Sequence, residues 1–153
     1  MNKNNFLDFD EFPLYSLDKE DKNDFIKLRA EADSAALKKK FSNKEIFNKN
    51  APANKSCLSL YNTAEKIRYE ILGSKMLKGI KKNLTEDYYQ KITLKRKDQL
   101  KTKDDVSVSE AFELYMLKNF FNIKLNSLCE KVLSFWSKEF EEYLGDDLNF
   151  LKK

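Results

Sequence analysis

Three glycines and two prolines punctuate a chain of 153 residues, and that scarcity constrains the fold more than any other feature. Antiparallel strands reverse on tight turns that glycine and proline supply, so a many-stranded sandwich or barrel has too few corners here. Helices remain as the way to satisfy the backbone. The sequence therefore predicts an all-α fold, a single compact domain of five to six helices, with 41% apolar and 13% aromatic residues to fill its core. The chain has no run of roughly 18 apolar residues that a spanning helix would need. Its opening MNKNNFLDF lacks the apolar core of a secretory signal, so the cytoplasm is the expected location.

Residues 1–17 differ from the rest. FLDFDEFPLYSLD scatters Phe6, Phe9, Phe12, Leu14 and Tyr15 among acids around Pro13 without helical or strand period, which predicts an irregular acidic and aromatic arm. Such an arm either docks over the core or folds onto a partner. Residues 18–153 read as a helical domain. Phe25, Leu28, Ala32, Ala35 and Ala36 mark a first helix that ends at Lys38-Lys39-Lys40, where positive charge suits the negative end of the helix dipole. A short turn of helix is halted at Ala51-Pro52. Cys57, Leu58, Leu60, Tyr61, Ala64, Ile67, Ile71 and Leu72 then mark a long helix to Gly73. Ser74 is placed to cap another, with Met76, Leu77, Ile80, Leu84, Tyr88 and Ile92 on its apolar side. Gly73 and Gly79 form no phosphate-cradling loop and predict close helix packing or a kink. A last long helix is expected from Asn126 to Leu144, stopped by Gly145, with Asp146 and Asp147 capping a final turn.

Residues 105–109 read DVSVS, and Asp-x-Ser-x-Ser is the spacing of magnesium sites in von Willebrand A-type domains. Such a loop must follow a buried apolar strand, which alone is rigid enough to hold the acid and both hydroxyls on one ion. The preceding KRKDQLKTKD cannot be a core strand. Ala111, Phe112, Leu114, Tyr115, Leu117, Phe120 and Phe121 follow at helical spacing, and Ser107-x-x-Glu110 has the form of a capping box with Val106 and Ala111 as a staple. These five residues are therefore expected to start a helix.

Composition also narrows the chemistry. Histidine is absent, which removes the commonest general base and transition-metal ligand. Cys57 and Cys129 stand alone on apolar helix faces, with neither a CxxC pair nor framework spacing, and are expected to be small core residues. The net charge of +4 is carried almost wholly by lysine, Arg29, Arg68 and Arg96 excepted. Arginine reads phosphates and base edges by bidentate contact, so its scarcity argues against nucleic acid as a partner. Lys78, Lys81, Lys82, Lys91, Lys95, Arg96, Lys97, Lys101 and Lys103, beside Tyr88 and Tyr89, form either a solvated face or a stripe that follows a nucleic-acid backbone.

Several runs go beyond periodicity. ADSAAL at 32–37, Ala51-Pro52, EKIRYEILGSKMLKGIKKNL at 65–84 and FWSKEFEEYLGDDLNFL at 135–151 together resemble the amino-terminal region of the CobT-type subunit of aerobic, ATP-dependent cobaltochelatase. Glu65, Arg68, Glu70, Gly73, Met76, Gly79, Asn83 and Leu84 fit that family's central motif in order and spacing. Trp136, Glu142, Gly145, Asp147 and Leu148 fit its last motif, and the resemblance covers residues 32–153. It implies a part in inserting cobalt into a corrin ring during cobalamin synthesis, with a CobS-type AAA+ ATPase and a CobN-type large subunit as partners, and oligomers within that complex. ATP, magnesium and cobalt are implied for the whole complex and no cofactor for this chain. The family continues into a von Willebrand A-type domain that holds its magnesium site, whereas DVSVS falls where the family begins an ordinary helix. Here the family's histidines after the first helix are replaced by Phe41-Ser42, and its leading segment is longer.

The resemblance thus implies a non-catalytic, protein-interacting subunit, with Glu65, Arg68, Glu70, Asn83, Trp136 and Asp147 as candidate partner-binding residues. The residues themselves show no convergence of imidazole, thiolate or clustered carboxylate that would hold cobalt. Glu65 and Arg68 share a helix face and Lys66 and Glu70 form an i,i+4 pair. Three readings stay open for them: surface pairs worth a few tenths of a kcal/mol, a partner contact, or a buried network that fixes a helix pair. A stand-alone adaptor of an AAA+ motor in another process is the alternative function.

Overall fold

The structure is a computed structural model in which residues 19–94 and 100–151 are described. They form seven α-helices and no strand. In chain order these are α1 (Lys19–Phe41), α2 (Lys44–Asn50), α3 (Lys55–Met76), α4 (Lys78–Leu94), α5 (Val108–Phe120), α6 (Ser127–Ser134) and α7 (Ser137–Leu151). The arm expected at 1–17 lies outside the described residues, as do Lys95, Arg96 and Lys97 of the lysine-rich stretch. Among the described residues no helix is long and apolar enough to cross a membrane.

α3 is the central element. α1 and α4 pack on it and on each other, while α5 packs on it and carries α6 and α7. Asparagines start several of these helices: Asn43 Oδ1 accepts from the amides of Glu45 and Ile46, and Asn54 Oδ1 from those of Ser56 and Cys57. Asn126 Oδ1 likewise accepts from Cys129 N at 2.8 Å. Each bond satisfies an amide that the first helical turn leaves without a partner. α5 ends where Asn122 takes a left-handed φ of 53°, and the amides of Phe121 and Ile123 both return to Leu117 O, so a left-handed residue just past the last turn closes the helix.

The apolar period of α4 and α5 is the core face over most of its length: Leu84, Tyr88, Ile92, Ala111, Phe112, Leu114, Tyr115 and Leu117 are all core residues. Met76 and Leu77, expected on the apolar side with Leu84, are instead exposed and precede α4. α1 is different. Leu28 is 64% exposed and Ala32, Ala35 and Ala36 face solvent, so the expected apolar stripe is its outer side. Its inner side runs through Ala30 and Leu37 by way of Asp33 and Ser34, which make hydrogen bonds to α4 and α3. Hydropathy missed that face because half of it is polar and satisfied. Cys57 is exposed rather than a core residue, while Cys129 is buried as expected.

Glycine also behaves otherwise than its helix-stopping reputation predicts. α3 continues through Gly73 and Ser74 to Met76, and the break falls at Leu77, whose backbone is extended. Ser74 is therefore an interior residue, not a cap. The expected helix from Asn126 to Leu144 is two: α6 closes at Phe135 through a tight bond from Trp136 N to Leu133 O. α7 then runs straight through Gly145, Asp146 and Asp147. An interior glycine costs a helix about 1 kcal/mol, and the buried Leu148 beyond it returns more than that on packing. The split gives seven helices where five or six were expected.

DVSVS does start a helix. Ser107 is the N-cap of α5 and its hydroxyl accepts from Ser109 N at 3.3 Å. Asp105 Oδ2 accepts from Lys101 N, Thr102 N and Thr102 Oγ1, which ties down a 3-10 turn at Lys103–Asp105. Val106 and Ala111, flanking the cap, are both buried.

The two expected helix-packing glycines differ physically. A Cβ on Gly73 would lie 2.2 Å from Leu37 Cδ2, whereas a Cβ on Gly79 meets nothing within 4 Å. Gly73→Ala should cost about 1–2 kcal/mol, the overpacking of a buried contact reduced by the gain in helix propensity. Gly79→Ala should instead stabilise by up to about 1 kcal/mol. Denaturant melts of both variants check the pair, and equal shifts of one sign would contradict this account of α1 packing.

Candidate functional site

The largest concentration of polar contacts lies where α1, α3 and α4 meet. Glu70 of α3 is 1% exposed. Ser34 Oγ of α1 donates to its Oε1 at 2.6 Å, and the Tyr88 hydroxyl of α4 donates to its Oε2 in a short hydrogen bond. Lys66 Nζ stands 4.0 Å from Oε1 and 5.3 Å from the Tyr88 ring centroid. A carboxylate removed from water loses several kcal/mol of solvation, and charge-assisted hydrogen bonds together with a nearby ammonium are what offset that loss. Burial and the charge of Glu70 push the Tyr88 phenol far above its ordinary range, so it remains a donor. On the same face of α4, Asp87 pairs with Lys91 at 2.5 Å. Two hydrogen bonds from side-chain amides fasten α1 to α4 alongside: Asn83 Nδ2 donates to Asp33 Oδ2 at 2.7 Å and Gln90 Nε2 to Asn23 Oδ1 at 3.0 Å.

Glu65 and Arg68 form a second device at the end of α1. Arg68 donates through Nε and Nη2 to both oxygens of Glu65, at 2.7 and 2.9 Å, and Nη2 donates also to Phe41 O at 2.7 Å. Ser42 Oγ donates to Glu65 Oε1 at 2.5 Å. The last carbonyl of α1 thus receives a cation, the favourable partner for that end of the helix dipole. The Arg68 hydrogen bonds hold the Glu65 carboxyl below the ordinary glutamate range; partial burial opposes this, and Ser42 with the charges of Arg68 and Lys38 assists it.

Trp136 and Asp147 lie elsewhere, on the α6–α7 half. Trp136 stacks on Phe140 at 6.5 Å, and Phe140 in turn meets Phe112 and Tyr115. Lys103 Nζ lies 4.0 Å above the Trp136 ring and pairs with Glu139. Trp136 Nε1 is buried without a hydrogen-bond partner among the described residues. Asp147 is exposed on α7. The structure therefore sets Glu70, Asn83 and the Glu65–Arg68 pair against successive parts of α1, at Ser34, Asp33 and Phe41, and leaves Trp136 and Asp147 apart from them.

Sequence reasoning missed the partners: Ser34, Ser42 and Asp33, and the hydroxyl of Tyr88, which periodicity reports only as a core position. Spacing alone held one signal, since Ser34 and Asp33 stand three and four residues from the buried Ala30 and Leu37. Among the described residues, no group of three or more metal-ligating side chains is placed to hold an ion. Both Glu70 oxygens are occupied and shielded, so this cluster binds the chain to itself rather than offering a general base to solvent. Open surface lies beside it. Tyr61, Ala64, Ile71, Leu72, Met116 and Phe120 line a largely apolar groove of about 350 Å³ between α3 and α5, together with the charged Glu65, Arg68 and Lys75. Leu72, Met76 and Leu77, at 36%, 58% and 55% exposure, continue the apolar surface beyond it.

A family model described as "Cobalamin biosynthesis protein CobT" matches residues 16–153. The chain belongs to the CobT family. Its involvement is accordingly in cobalamin biosynthesis. No curated protein and no solved structure matches the chain. The CobT-like motifs acquire a physical meaning in this fold, because they interlock. Asp33 meets Asn83, Ser34 meets Glu70 and Leu37 fills the space that Gly73 leaves, while Arg68 reaches the end of the same helix.

Two predictions follow from these contacts. Tyr88→Phe leaves a buried carboxylate short of a donor and should cost about 1–3 kcal/mol, and less than that in a Glu70→Gln background; equal costs in the two backgrounds, measured by denaturant melts, would refute the coupling. The second concerns pH. Because Glu65 has its folded-state pKa depressed, its contribution is complete above its unfolded value and is lost as pH falls through the folded one. Stability of the wild type should drop more steeply than that of Glu65→Gln on acidification below pH 4.5, the ordinary glutamate value.

Proposed function

We propose that the chain is a non-catalytic, protein-interacting module of an ATP-dependent cobaltochelatase-type complex in the cytoplasm. Its partner is an AAA+ ATPase of the CobS type, and through that motor it serves a CobN-type large subunit that holds the corrin. ATP and magnesium act in the motor, cobalt is the substrate of the whole machine, and this chain contributes surface rather than a reacting group. The observation that carries the reading is the apolar groove between α3 and α5 with its exposed extension at Leu72, Met76 and Leu77, on a chain of the CobT family. Contiguous apolar surface of this kind, edged by polar residues, is what protein interfaces use. Arg68 and Lys75 also line the groove, and arginine is enriched among residues that carry binding energy at interfaces.

Size-exclusion chromatography with light scattering, on the chain mixed with a CobS-type subunit with and without ATP, tests this. A nucleotide-dependent comigrating assembly is expected. Leu72→Glu with Met76→Glu should weaken it by about tenfold or more, on the order of 1.4 kcal/mol, with the helical circular dichroism unchanged because both residues are exposed. Independent elution of the wild type at micromolar concentrations would refute the proposal.

A further inference from the structure

A second surface has a different chemistry. Where α1 ends and α2 and α3 begin, Lys38, Lys39, Lys44 and Lys66 ring a groove of about 840 Å³, within the size range of binding clefts, roughly 300–1,000 Å³. Phe47 and Tyr69 line it together with the side-chain amides of Asn48 and Asn62. Lys38, Lys39 and Lys44 are exposed and form no ion pair among the described residues. Glu65 on the wall is the one carboxylate lining the groove, and it is already matched by Arg68 and Ser42. The charge of Lys38 also acts on Glu65 and Lys66 stands 4.0 Å from Glu70, so the groove carries an excess of positive charge, with Lys39 and Lys44 unmatched, in a concave, partly aromatic setting where a low-dielectric wall focuses the field.

We propose that this groove receives an acidic peptide segment of a protein partner, its carboxylates on Lys38, Lys39 and Lys44 and an aromatic or aliphatic side chain against Phe47. The inference rests on the reading of the chain as a protein-interacting module and supplies that module with a second, charge-selective surface. Three features favour a peptide over a nucleic acid. Lysine without arginine offers point charges, which suit single carboxylates as well as phosphates but lack the bidentate fork. Asn48 and Asn62 present donors and acceptors together, matching a peptide backbone, whereas a phosphodiester backbone only accepts. The Glu65 carboxylate, held ionised on the wall, opposes a run of phosphates.

The test is fluorescence anisotropy with a short labelled peptide of alternating aspartate and phenylalanine, against the same peptide with asparagine in place of aspartate. The wild type should bind the acidic peptide at least about tenfold more tightly than the asparagine form, with an advantage that shrinks as salt rises. Lys38→Gln with Lys39→Gln and Lys44→Gln should abolish the preference, and Lys22→Gln with Lys82→Gln, on another face, should not. Glutamine keeps the helices intact, and circular dichroism checks that it does. Equal binding of the two peptides overturns the proposal. So does a single-stranded oligonucleotide that binds more tightly than the peptide and depends on the same three lysines. Comigration with the AAA+ subunit is measured separately on the same variants. In the wild type, equal binding of the two peptides with comigration kept refutes the groove alone, and a peptide preference without comigration refutes only the AAA+ reading.

Discussion

The carboxylate of Glu70 sets the terms for half of this molecule. A carboxyl group at 1% exposure must have its oxygens hydrogen-bonded, and α3 offers no local donor for both. The donors come from Ser34 on α1 and Tyr88 on α4, so satisfying one charge fixes how two other helices lie on the third. Slippage of either by a turn would strand the carboxylate at a cost of several kcal/mol. Specificity of arrangement, more than net stability, is what such a buried polar contact supplies. Leu37 and Gly73, each three residues further along its helix, repeat the constraint in apolar form, because only a missing side chain lets Leu37 approach so closely.

The same geometry explains why the CobT-like motifs contain the residue types they do. Within the central motif, Arg68, Glu70, Gly73 and Asn83 all contact α1, three through hydrogen bonds and one through the absence of a Cβ. Within the earlier motif, Asp33, Ser34 and Leu37 are the residues contacted. These positions thus describe a dock for α1. Within the chain, Glu70 belongs to a buried network, the third of the readings open for these residues, and Glu65 and Arg68 brace the end of α1.

Legibility followed chemistry. Where a helix buries an apolar stripe, as α4 does with Leu84, Tyr88 and Ile92 and α5 with Ala111, Leu114 and Leu117, the period alone placed the element and its inner face. α1 was placed as a helix and turned the wrong way round, since its inner face is built from Asp33 and Ser34 and its outer face exposes Leu28. Polar burial is invisible to hydropathy unless the partner is known, and the partners lie 36 and 50 residues away. Glycine failed as punctuation for a related reason. Gly73 is used for close approach and Gly145 is carried by the packing of Leu148, so both sit inside helices that local propensity would end. The cap at Ser107 was legible because capping is a purely local interaction.

The interior and the surface are connected through the brace. Arg68 holds the last carbonyl of α1 and, through Glu65 and Ser42, the turn into α2. That corner determines where Lys38 and Lys39 at the end of α1 stand relative to Lys44 at the start of α2. A lysine side chain is long and its charge alone is weakly directional, so three of them act as one binding surface only when their backbones are fixed. Arg68 also neutralises the carboxylate that would otherwise cancel them. The residues that close this corner of the fold are in this sense the ones that give the outer groove its sign, and a change to the Glu65–Arg68 pair would be felt at the lysines beside it.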